Sequence, residues 1–206
     1  MDGIIHIAGV IPRMGTTTLA LQLVRFLQEN NYNACYVEMS RQNYTWVAAN
    51  IYNGASLDRA TGKTTCLRIQ MFGSDRINAL REGDLPYDFV VCDFGNLSDV
   101  AFDKQQFAGG DCGILLCGNK PNEIFQTEDA LKNPLFADAL TVFNFTDPSD
   151  YAEIRKMMMG RGVMTGFMPY IPDPFHAGQE YSKVEFFQWL MDMVMYIIHP
   201  EGAQAE

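Results

Sequence analysis

Three consecutive threonines, at positions 16–18, stand where an apolar run passes through a glycine-containing loop into a segment of helical periodicity. The apolar run is residues 4–8, and Gly9 and Gly15 lie in the loop. Backbone N–H groups in the first turn of a helix are unpaired and carry partial positive charge, which suits an anion. The layout therefore predicts a phosphate-binding loop in which the second or third threonine places its hydroxyl on a phosphate or on Mg²⁺. Threonines that only cap the helix are the alternative.

The loop lacks two parts of the common phosphate-binding motif G-x-x-x-x-G-K-[ST]. That motif needs glycine at position 10 and lysine at position 16, where the chain has Val10 and Thr16. The lysine would reach the β- and γ-phosphates, so its loss weakens the predicted site. Arg13, within the loop, could supply part of the missing positive charge.

A second segment, residues 61–65, contains the G-K-T sequence that the first loop lacks. A phosphate-binding loop also needs a glycine upstream, at the position that Leu57 occupies, and an apolar strand before the loop. The chain has neither feature there. We therefore predict that residues 61–65 form a polar turn before a strand that begins at Thr65.

Apolar runs alternate with segments of helical period along the chain. We predict strands over residues 4–8, 34–39, 65–71, 89–92, 113–117, 139–143 and 163–168. We predict helices over residues 17–29, 46–51, 75–81, 104–109, 122–131, 148–158 and 182–198. This order predicts an α/β three-layer sandwich, with helices on both faces of a mostly parallel sheet, formed by one domain over residues 1–206. Residues 65–71 are expected to form an antiparallel or edge strand.

Loops that follow parallel strands meet at one edge of the sheet, where the ligands of open α/β folds bind. The predicted loops are residues 9–18, 38–44, 93–99, 118–121, 144–147 and 169–174. Two of them begin with a carboxylate, Glu38 or Asp93. These carboxylates either contact Mg²⁺ and a nucleotide or accept hydrogen bonds from loop amides, and the sequence leaves both interpretations open.

The composition argues against several classes of function. A net charge of −10 and a pI of about 4.7 argue against nucleic-acid partners and against a direct membrane anchor, since both need clustered Lys and Arg. The five cysteines include no C-x-x-C pair and are predicted to be buried in a reducing cytosol, with metal or redox use as the alternative. The three histidines lack the spacing of metal ligands. With no secretory signal and no apolar run of transmembrane length, we expect a cytoplasmic protein.

Five short motifs follow one another along nearly the whole chain. Residues 11–18 correspond to K-G-G-x-G-K-T-T, residues 37–42 to I-D-x-D-x-Q, residues 87–93 to Y-D-x-[IV]-[IV]-x-D, residues 143–144 to an apolar strand that ends in Asn, and residues 166–169 to G-x-[IV]-P. Their order and spacing resemble those of the ParA/MinD family of deviant Walker-A ATPases, in which the Asn reads adenine and the G-x-[IV]-P segment lies near the base. The resemblance implies a P-loop NTPase-like fold, a homodimer, and ATP or ADP with Mg²⁺ as the ligand.

The resemblance also implies a nucleotide site, carried over residue by residue. Its members are Gly9, Arg13, Gly15, Thr16, Thr17, Thr18, Glu38, Asp93, Asn144 and Pro169, with Thr17 and Asp93 as the Mg²⁺ residues. Three charged positions of the family are uncharged in this chain: its signature lysine falls on Ile11, its phosphate-binding lysine on Thr16 and its water-positioning acid on Ser40. Because such groups offset the charge that develops in phosphoryl transfer, we expect weak or no nucleotide binding and little or no ATP hydrolysis.

The expected protein is a pseudo-ATPase, a ParA/MinD-like localisation or assembly protein that acts by binding a protein partner. By analogy it is most similar to the TadZ type, which positions secretion or pilus machinery. We expect the partner to contact the terminal helix or residues 157–159, and Ile11 to pack against its counterpart in a homodimer. The alternatives are an active P-loop ATPase that uses Arg13 in place of the missing lysines, and a small-molecule ligase-like or synthase relative of the same fold.

Overall fold

A nine-stranded sheet runs through the computed structural model, which describes residues 1–82, 86–171 and 180–200 of the chain. The strands are β1 (Gly3–Gly9), β2 (Ala34–Glu38), β3 (Ser56–Asp58), β4 (Lys63–Cys66), β5 (Ile69–Gly73), β6 (Phe89–Asn96), β7 (Cys112–Cys117), β8 (Leu140–Phe143) and β9 (Thr165–Phe167). The helices are α1 (Thr16–Glu29), α2 (Tyr44–Ile51), α3 (Ile77–Arg81), α4 (Lys104–Ala108), α5 (Pro121–Leu131), α6 (Tyr151–Met157) and α7 (Glu185–Ile198). One of the three histidines, His176, and residues 172–174 of the predicted loop 169–174 lie outside the described residues.

The strands lie in the order β3-β4-β5-β2-β6-β1-β7-β8-β9. Strand β4 is antiparallel to both β3 and β5, and every other neighbouring pair is parallel. One apolar cluster joins the sheet to α1, α2 and α7, and a second joins its other face to α3, α4, α5 and α6. The predicted α/β three-layer sandwich with a mostly parallel sheet is therefore confirmed.

The central strands are apolar on both faces because helices cover both faces of the sheet. In β1, Ile5 and Ile7 pack in the cluster with α1 and α7, whereas Ile4 and Ala8 pack in the cluster with α3 to α6. This alternation follows from the two-residue period of a strand. Since β1, β2, β6, β7, β8 and β9 run in the same direction, the loops after them lie along a single edge of the sheet.

The prediction of a single strand over residues 65–71 is wrong. The segment is the hairpin of β4 and β5, which turns at Leu67 and Arg68. Both residues have positive φ, 45° and 73°, and neither is one of the glycine or asparagine residues that usually mark such a turn. The alternating pattern continues across the turn, so the sequence shows no break. The expected antiparallel pairing is nevertheless present, between β4 and its two neighbours.

Helix α7 packs part of its apolar surface in the core, and the protein contact that we expect at the terminal helix stays a prediction. Phe187, Leu190 and Val194 are fully buried. The ring of Trp189 lies so close to β9 that a Cβ atom on Gly166 would be 2.1 Å from it. The exposed residues of α7 are Glu185, Gln188, Asp192 and Tyr196, and Tyr196 is 58% exposed. In the part of the chain that the structure describes, no helix is both long enough and apolar enough to span a membrane.

All five cysteines are free and buried, as the sequence predicts. Cys35 and Cys92 lie in β2 and β6, Cys66 in β4, and Cys112 and Cys117 at the two ends of β7. Burial raises the pKa of each thiol, to about 12 for Cys112 and for Cys117. At neutral pH the thiols are therefore protonated and act as small apolar residues.

Candidate phosphate-binding loop and strand-end carboxylates

The loop between β1 and α1 is held at its first residues by backbone hydrogen bonds to neighbouring elements. The N–H of Val10 donates to the carbonyl of Leu116 in β7, and the N–H of Leu97 donates to the carbonyl of Gly9, both at 2.9 Å. Gly15, which directly precedes α1, has a φ of 90°, a left-handed conformation that glycine adopts without strain. The helix therefore begins at the threonine run, as predicted, and its first amides lie next to the loop.

The first turn of α1 has backbone donors to offer. No side chain caps this helix, and its first turn contains no acidic residue. Among the described residues, the N–H groups of Thr16, Thr17 and Thr18 have no hydrogen-bond partner. The threonine hydroxyls do not cap the helix either, since Thr16 donates to the carbonyl of Gly95 at 3.0 Å and Thr17 donates to a carboxylate. These amides form the arrangement that binds an anion at a helix N-terminus.

Asp93 lies at the end of the core part of β6, and its carboxylate accepts three hydrogen bonds. Its Oδ2 accepts the hydroxyls of Thr17 at 2.5 Å and Tyr36 at 2.9 Å, and its Oδ1 accepts the N–H of Gly95 at 2.9 Å. Burial raises the pKa of Asp93, the three donors lower it, and the nearby Glu38 raises it further, with a net upward shift. The carboxylate thus ties the start of α1 to the centre of the sheet.

Glu38 lies beside Asp93 in the register of β2 and β6, but its hydrogen bonds go elsewhere. Its two carboxylate oxygens accept the N–H groups of Tyr44 at 2.7 Å and Thr45 at 2.9 Å, at the start of α2. The hydroxyl of Ser40 is 3.4 Å from Glu38 Oε1. Glu38 therefore holds the N-terminus of α2, and its amide partners are not those of the phosphate-binding loop.

Asn144, directly after β8, contacts the loop itself. Its Nδ2 donates to the carbonyl of Met14 at 2.8 Å, and its Oδ1 accepts the N–H of Phe145 at 2.9 Å. The residue is only 5% exposed. Pro169 is half-buried and follows β9, the neighbour of β8.

A cleft of about 360 Å³ opens in front of the helix start. Its lining residues are Pro12, Arg13, Gly15, Thr16, Thr17, Thr18, Gln42, Gly95 and Asn96. Arg13 is exposed and has a φ of 66°, and it is the cationic member of this lining. The cleft therefore brings together Arg13, Gly15 and the threonine run, whereas Gly9, Glu38, Asp93, Asn144 and Pro169 are not part of its lining.

Several solved structures share this arrangement of strands and helices. The MinC:MinD cell division complex of Aquifex aeolicus superposes with a TM-score of 0.65, at 10% identity over 97% of this chain and 96% of that chain. The ParA family ATPase of Chlorobium tepidum gives a TM-score of 0.63, at 14% identity over 97% of this chain and 100% of that chain. A plasmid partition protein of Borrelia burgdorferi, solved with AMPPNP, gives 0.60, at 15% identity over 92% and 96% of the two chains. The chain has the MinD/ParA fold.

The likeness to these proteins is one of fold, and it confirms the P-loop-type fold that the motifs imply. Neither a protein-family model nor a curated protein matches the chain by sequence. The superpositions include 92–97% of this chain, so the MinD/ParA fold accounts for the sheet and for the helices on both of its faces.

The residues at the start of α1 fit a nucleotide bound with Mg²⁺. Hydroxyl and carboxylate oxygens are the ligands that Mg²⁺ prefers, and in P-loop proteins a loop Ser or Thr and a strand-end Asp hold this ion. Thr17 and Asp93 supply these two groups, joined by the hydrogen bond described above. When bound, Mg²⁺ would neutralise charge on the phosphates, and the N–H groups of residues 16–18 would hold the phosphate oxygens.

The resemblance carries the charged positions of the family to Ile11, Thr16 and Ser40, whose uncharged side chains make contacts within this chain. Ile11 is half-buried and packs against both apolar clusters. Thr16 is buried and bonded to Gly95, and Ser40 is turned to Glu38. None of the three can offset charge on a transferred phosphoryl group.

The prediction of a polar turn over residues 61–65 holds for residues 61–62 only, because β4 begins at Lys63 and not at Thr65. Gly62 has a φ of 69°, β4 begins at Lys63, and the hydroxyl of Thr61 donates to Asp58 Oδ2 at 2.7 Å. The segment joins the antiparallel strands β3 and β4 at the margin of the sheet, where no helix follows. It therefore has no helix N-terminus to offer an anion.

Sequence reasoning missed Tyr36 and Asn96 and did not select Gln42 or Gly95 as site residues. Gln42 and Gly95 stand within or next to the quoted motifs, so the motifs could have identified them. Tyr36 is a lone hydroxyl in an apolar strand, and its role depends on β2 lying beside β6, which sequence alone does not show. Within the described residues, no group of three or more His, Cys, Asp or Glu side chains could hold a metal ion.

Proposed function

We propose that this chain is a MinD/ParA-like localisation or assembly protein that binds a nucleotide weakly and hydrolyses it little or not at all. It would act as one domain over residues 1–206, in the cytoplasm, by binding a protein partner. The observation that carries the proposal is that two features occur together. Three amides at the start of α1 have no hydrogen-bond partner among the described residues, and the residues at positions 11, 16 and 40 are uncharged. The amides favour an anion, and the missing charges disfavour turnover.

Weak turnover follows from the electrostatics of phosphoryl transfer. Cationic groups at the phosphates and a residue that positions the attacking water supply most of the rate in this reaction, and an arginine finger alone is worth about 10³–10⁵ in kcat. Here the amides and Mg²⁺ could still bind the phosphates of the ground state. Stabilisation of the transition state needs more positive charge than the lining of this cleft provides, since Arg13 is the one cationic residue among the described residues that line it.

Titration with labelled ATP, with and without Mg²⁺, tests the proposal. We expect weak binding that falls further in Thr17→Ala, because that variant removes the hydroxyl bonded to Asp93. Hydrolysis by the wild type should not exceed that of Thr17→Ala. Thr61→Ala is the matched control, since it removes an exposed threonine hydroxyl that also donates to an aspartate. Absence of any Thr17-dependent binding would contradict the nucleotide site.

An active ATPase that relies on Arg13 is the second candidate, because Arg13 lines the cleft beside the threonines. Arg13→Ala separates the two candidates. A clear Mg²⁺-dependent ATPase rate that disappears in Arg13→Ala would establish the enzyme and refute the pseudo-ATPase. Under our proposal the rate is near background in both proteins, and only the affinity for ATP changes.

The partner surface that we propose lies at the end of α6. Met157 is 44% exposed and Met159 is 91% exposed, and they border an apolar groove of about 570 Å³ between α5 and α6. Methionine adapts its shape to different partners, so exposed methionines beside an apolar groove favour a protein contact. MinD of Aquifex aeolicus, which shares the fold, was solved with the protein MinC. We extend the analogy to the TadZ type, for which the partner is secretion or pilus machinery.

We also propose a homodimer that forms without nucleotide, because Ile11 cannot make a lysine contact to a partner's phosphates and leaves part of its apolar side chain exposed. Sedimentation with and without ATP tests this point. A monomer that dimerises only when ATP is added would contradict it.

We propose that the chain does not bind nucleic acid, because a net charge of −10 does not favour the release of counterions from DNA. A salt-sensitive shift in the gel mobility of duplex DNA would refute this proposal.

A further inference from the structure

Exposed apolar side chains lie where β3 forms one end of the sheet. Leu57 of β3 is 44% exposed and pairs with the buried Thr64 of β4, so the two side chains lie on the same face of the sheet. Helix α2 packs on that face of β4, where its Ala48 belongs to the same apolar cluster as Cys66. Ile51, at the end of α2, is 69% exposed. Leu57 therefore lies beside α2 on a part of the sheet that α2 leaves open.

A tight turn joins α2 to β3 and keeps Ile51 and Leu57 close together. The N–H of Ala55 donates to the carbonyl of Tyr52 at 3.1 Å, and β3 begins at the next residue. Arg59 directly follows β3, and Lys63 begins β4. We call these exposed and basic residues the β3 margin: Ile51, Leu57, Arg59 and Lys63.

The surroundings of the β3 margin are basic, although the chain is acidic. Residues 39–74 contain four basic residues and one acidic residue, Asp58, whereas the whole chain has 15 basic and 25 acidic residues. The carboxylate of Asp58 accepts hydrogen bonds within its own turn, from the N–H of Ala60 at 2.9 Å and from the hydroxyl of Thr61 at 2.7 Å. A negatively charged molecule is therefore repelled by the chain as a whole and attracted to this part of it.

The backbone of β3 is open to pairing with a further strand. Among the described residues, β3 has a neighbour on one side only, which is β4, and all three of its residues are exposed. The outer side of such a strand presents backbone N–H and C=O groups to an added strand. Nucleic acids and lipids have no peptide backbone that could pair in this way, so the open edge favours a polypeptide. A second copy that paired through the same edge would bring Arg59 and Lys63 of both copies together, and like charges disfavour that contact.

We propose that the β3 margin docks an acidic, extended segment of a partner protein, which adds a strand to β3. Successive side chains of a strand point to opposite faces, so the apolar residues of this segment alternate with its acidic residues. The apolar residues pack beside Leu57 on the α2 face, and the acidic residues lie on the opposite face, which carries Lys63. This surface goes beyond the proposed function, because the α5–α6 groove lies against β8, toward the other end of the strand order.

Selection of displayed peptides on the whole chain tests the proposal. A library of random short peptides should yield binders in which apolar and acidic residues alternate. A synthetic copy of a selected peptide should bind about tenfold more weakly to Leu57→Asp, which places a charge in the apolar contact, and to Arg59→Glu, which reverses a charge beside it. High salt should weaken the binding to the wild type. Hydrogen exchange at residues 56–58 should slow when the peptide is added, because the new strand protects their amides.

Val100→Asp and Lys104→Glu are the matched controls, because both residues are exposed and lie between β6 and β7. They should leave the peptide affinity unchanged. A selection that yields only basic peptides, or peptides whose binding survives both Leu57→Asp and Arg59→Glu, would overturn the inference. Binding of phosphatidylserine vesicles or duplex DNA that Arg59→Glu removes would identify a different occupant and would also overturn it. Self-association that Leu57→Asp removes would do the same in favour of a second copy. Labelled ATP, which we place in the cleft before α1, would still report on the proposed function separately.

Discussion

Two threonine–aspartate pairs in this chain make the same hydrogen bond in opposite surroundings. In the loop before α1, Thr17 donates to Asp93 at 2.5 Å, and in the turn before β4, Thr61 donates to Asp58 at 2.7 Å. Asp93 is 1% exposed, whereas Asp58 is open to solvent. Burial raises the pKa of Asp93, while the hydrogen bond from Thr61 lowers the pKa of Asp58.

The comparison shows that topology, and not local sequence, decides which glycine–threonine segment lies at the N-terminus of a helix. The segment with the letters G-K-T joins two antiparallel strands at the margin of the sheet. The segment without the lysine follows β1, which has parallel neighbours on both sides, and leads into a helix. Only the second position combines unpaired helix amides with a buried carboxylate from the neighbouring strand.

The largest difference between the two segments should appear when their glycines are replaced. Gly15→Ala places a side chain at a φ of 90° and a Cβ atom 2.6 Å from Asn144 Nδ2, so we expect a loss of about 2–3 kcal/mol. Gly62→Ala meets its nearest atom only at 3.6 Å, so the left-handed backbone alone should cost about 1 kcal/mol. Urea unfolding measures both values. Equal losses would mean that the loop before α1 is no more tightly held than the turn.

Removal of the two hydroxyls should give the next largest contrast. Thr17→Val leaves the buried Asp93 without one of its three donors, which costs about 1–3 kcal/mol. Thr61→Val removes an exposed hydrogen bond and should change stability by less than about 0.5 kcal/mol. Thermal or urea unfolding of the two variants tests the contrast, and a greater effect of Thr61→Val would reverse our comparison.

Two substitutions, Thr16→Lys and Lys63→Thr, test the effect of a lysine in each segment on ATP affinity. Thr16→Lys places a cation at the start of α1, and we expect about tenfold tighter ATP binding, equivalent to about 1.4 kcal/mol. Hydrolysis should stay low because position 40 is still Ser40. Lys63→Thr, at the start of β4, should leave ATP affinity unchanged. If Thr16→Lys binds ATP no better than the wild type, the side chains around the loop must already fill the phosphate space.

The smallest effect concerns the titration of the two aspartates. In carboxyl NMR, Asp93 should titrate above the ordinary value of 3.8 and Asp58 below it. Asp58 therefore stabilises the fold above pH 3.8, and that contribution is lost as the pH falls through its lowered pKa. Asp93 has the opposite sign: the folded state holds its proton more tightly, so stability falls as the pH rises from 3.8 through its raised pKa. Tyr36→Phe should raise the pKa of Asp93 further, and no change there would exclude Tyr36 as a donor.

Sequence reasoning identified the features that depend on neighbouring residues. The strands β1, β2, β6, β7, β8 and β9 follow from local periodicity, whereas β3 was not predicted. The α1 helix and the loop before it follow from periodicity and from one glycine before three threonines. The hairpin at Leu67 and Arg68 was missed because neither residue is a turn former, although both adopt positive φ. Here tertiary packing overrides the local preference.

The contacts that sequence reasoning could not supply join residues far apart along the chain. The sequence leaves open whether Glu38 contacts Mg²⁺ and a nucleotide or accepts hydrogen bonds from loop amides, and the structure shows a third arrangement, with hydrogen bonds from the start of α2. Asn144 and Met14 are 130 residues apart, and no local pattern links them. The role of Tyr36 likewise depends on β2 lying next to β6. Strand order and side-chain hydrogen bonds are therefore the part that required the structure.

The reaction of the five buried cysteines with a thiol reagent would measure how often the elements around them open. A thiol reagent reaches a cysteine only as fast as the element around it opens, because the thiols are shielded and held protonated by burial. Cys66 lies in the hairpin at the margin of the sheet, whereas Cys92 lies at its centre. Modification of Cys66 should therefore track opening of the margin, and modification of Cys92 should track global unfolding, so that mass spectrometry at timed intervals would resolve the order in which the sheet comes apart.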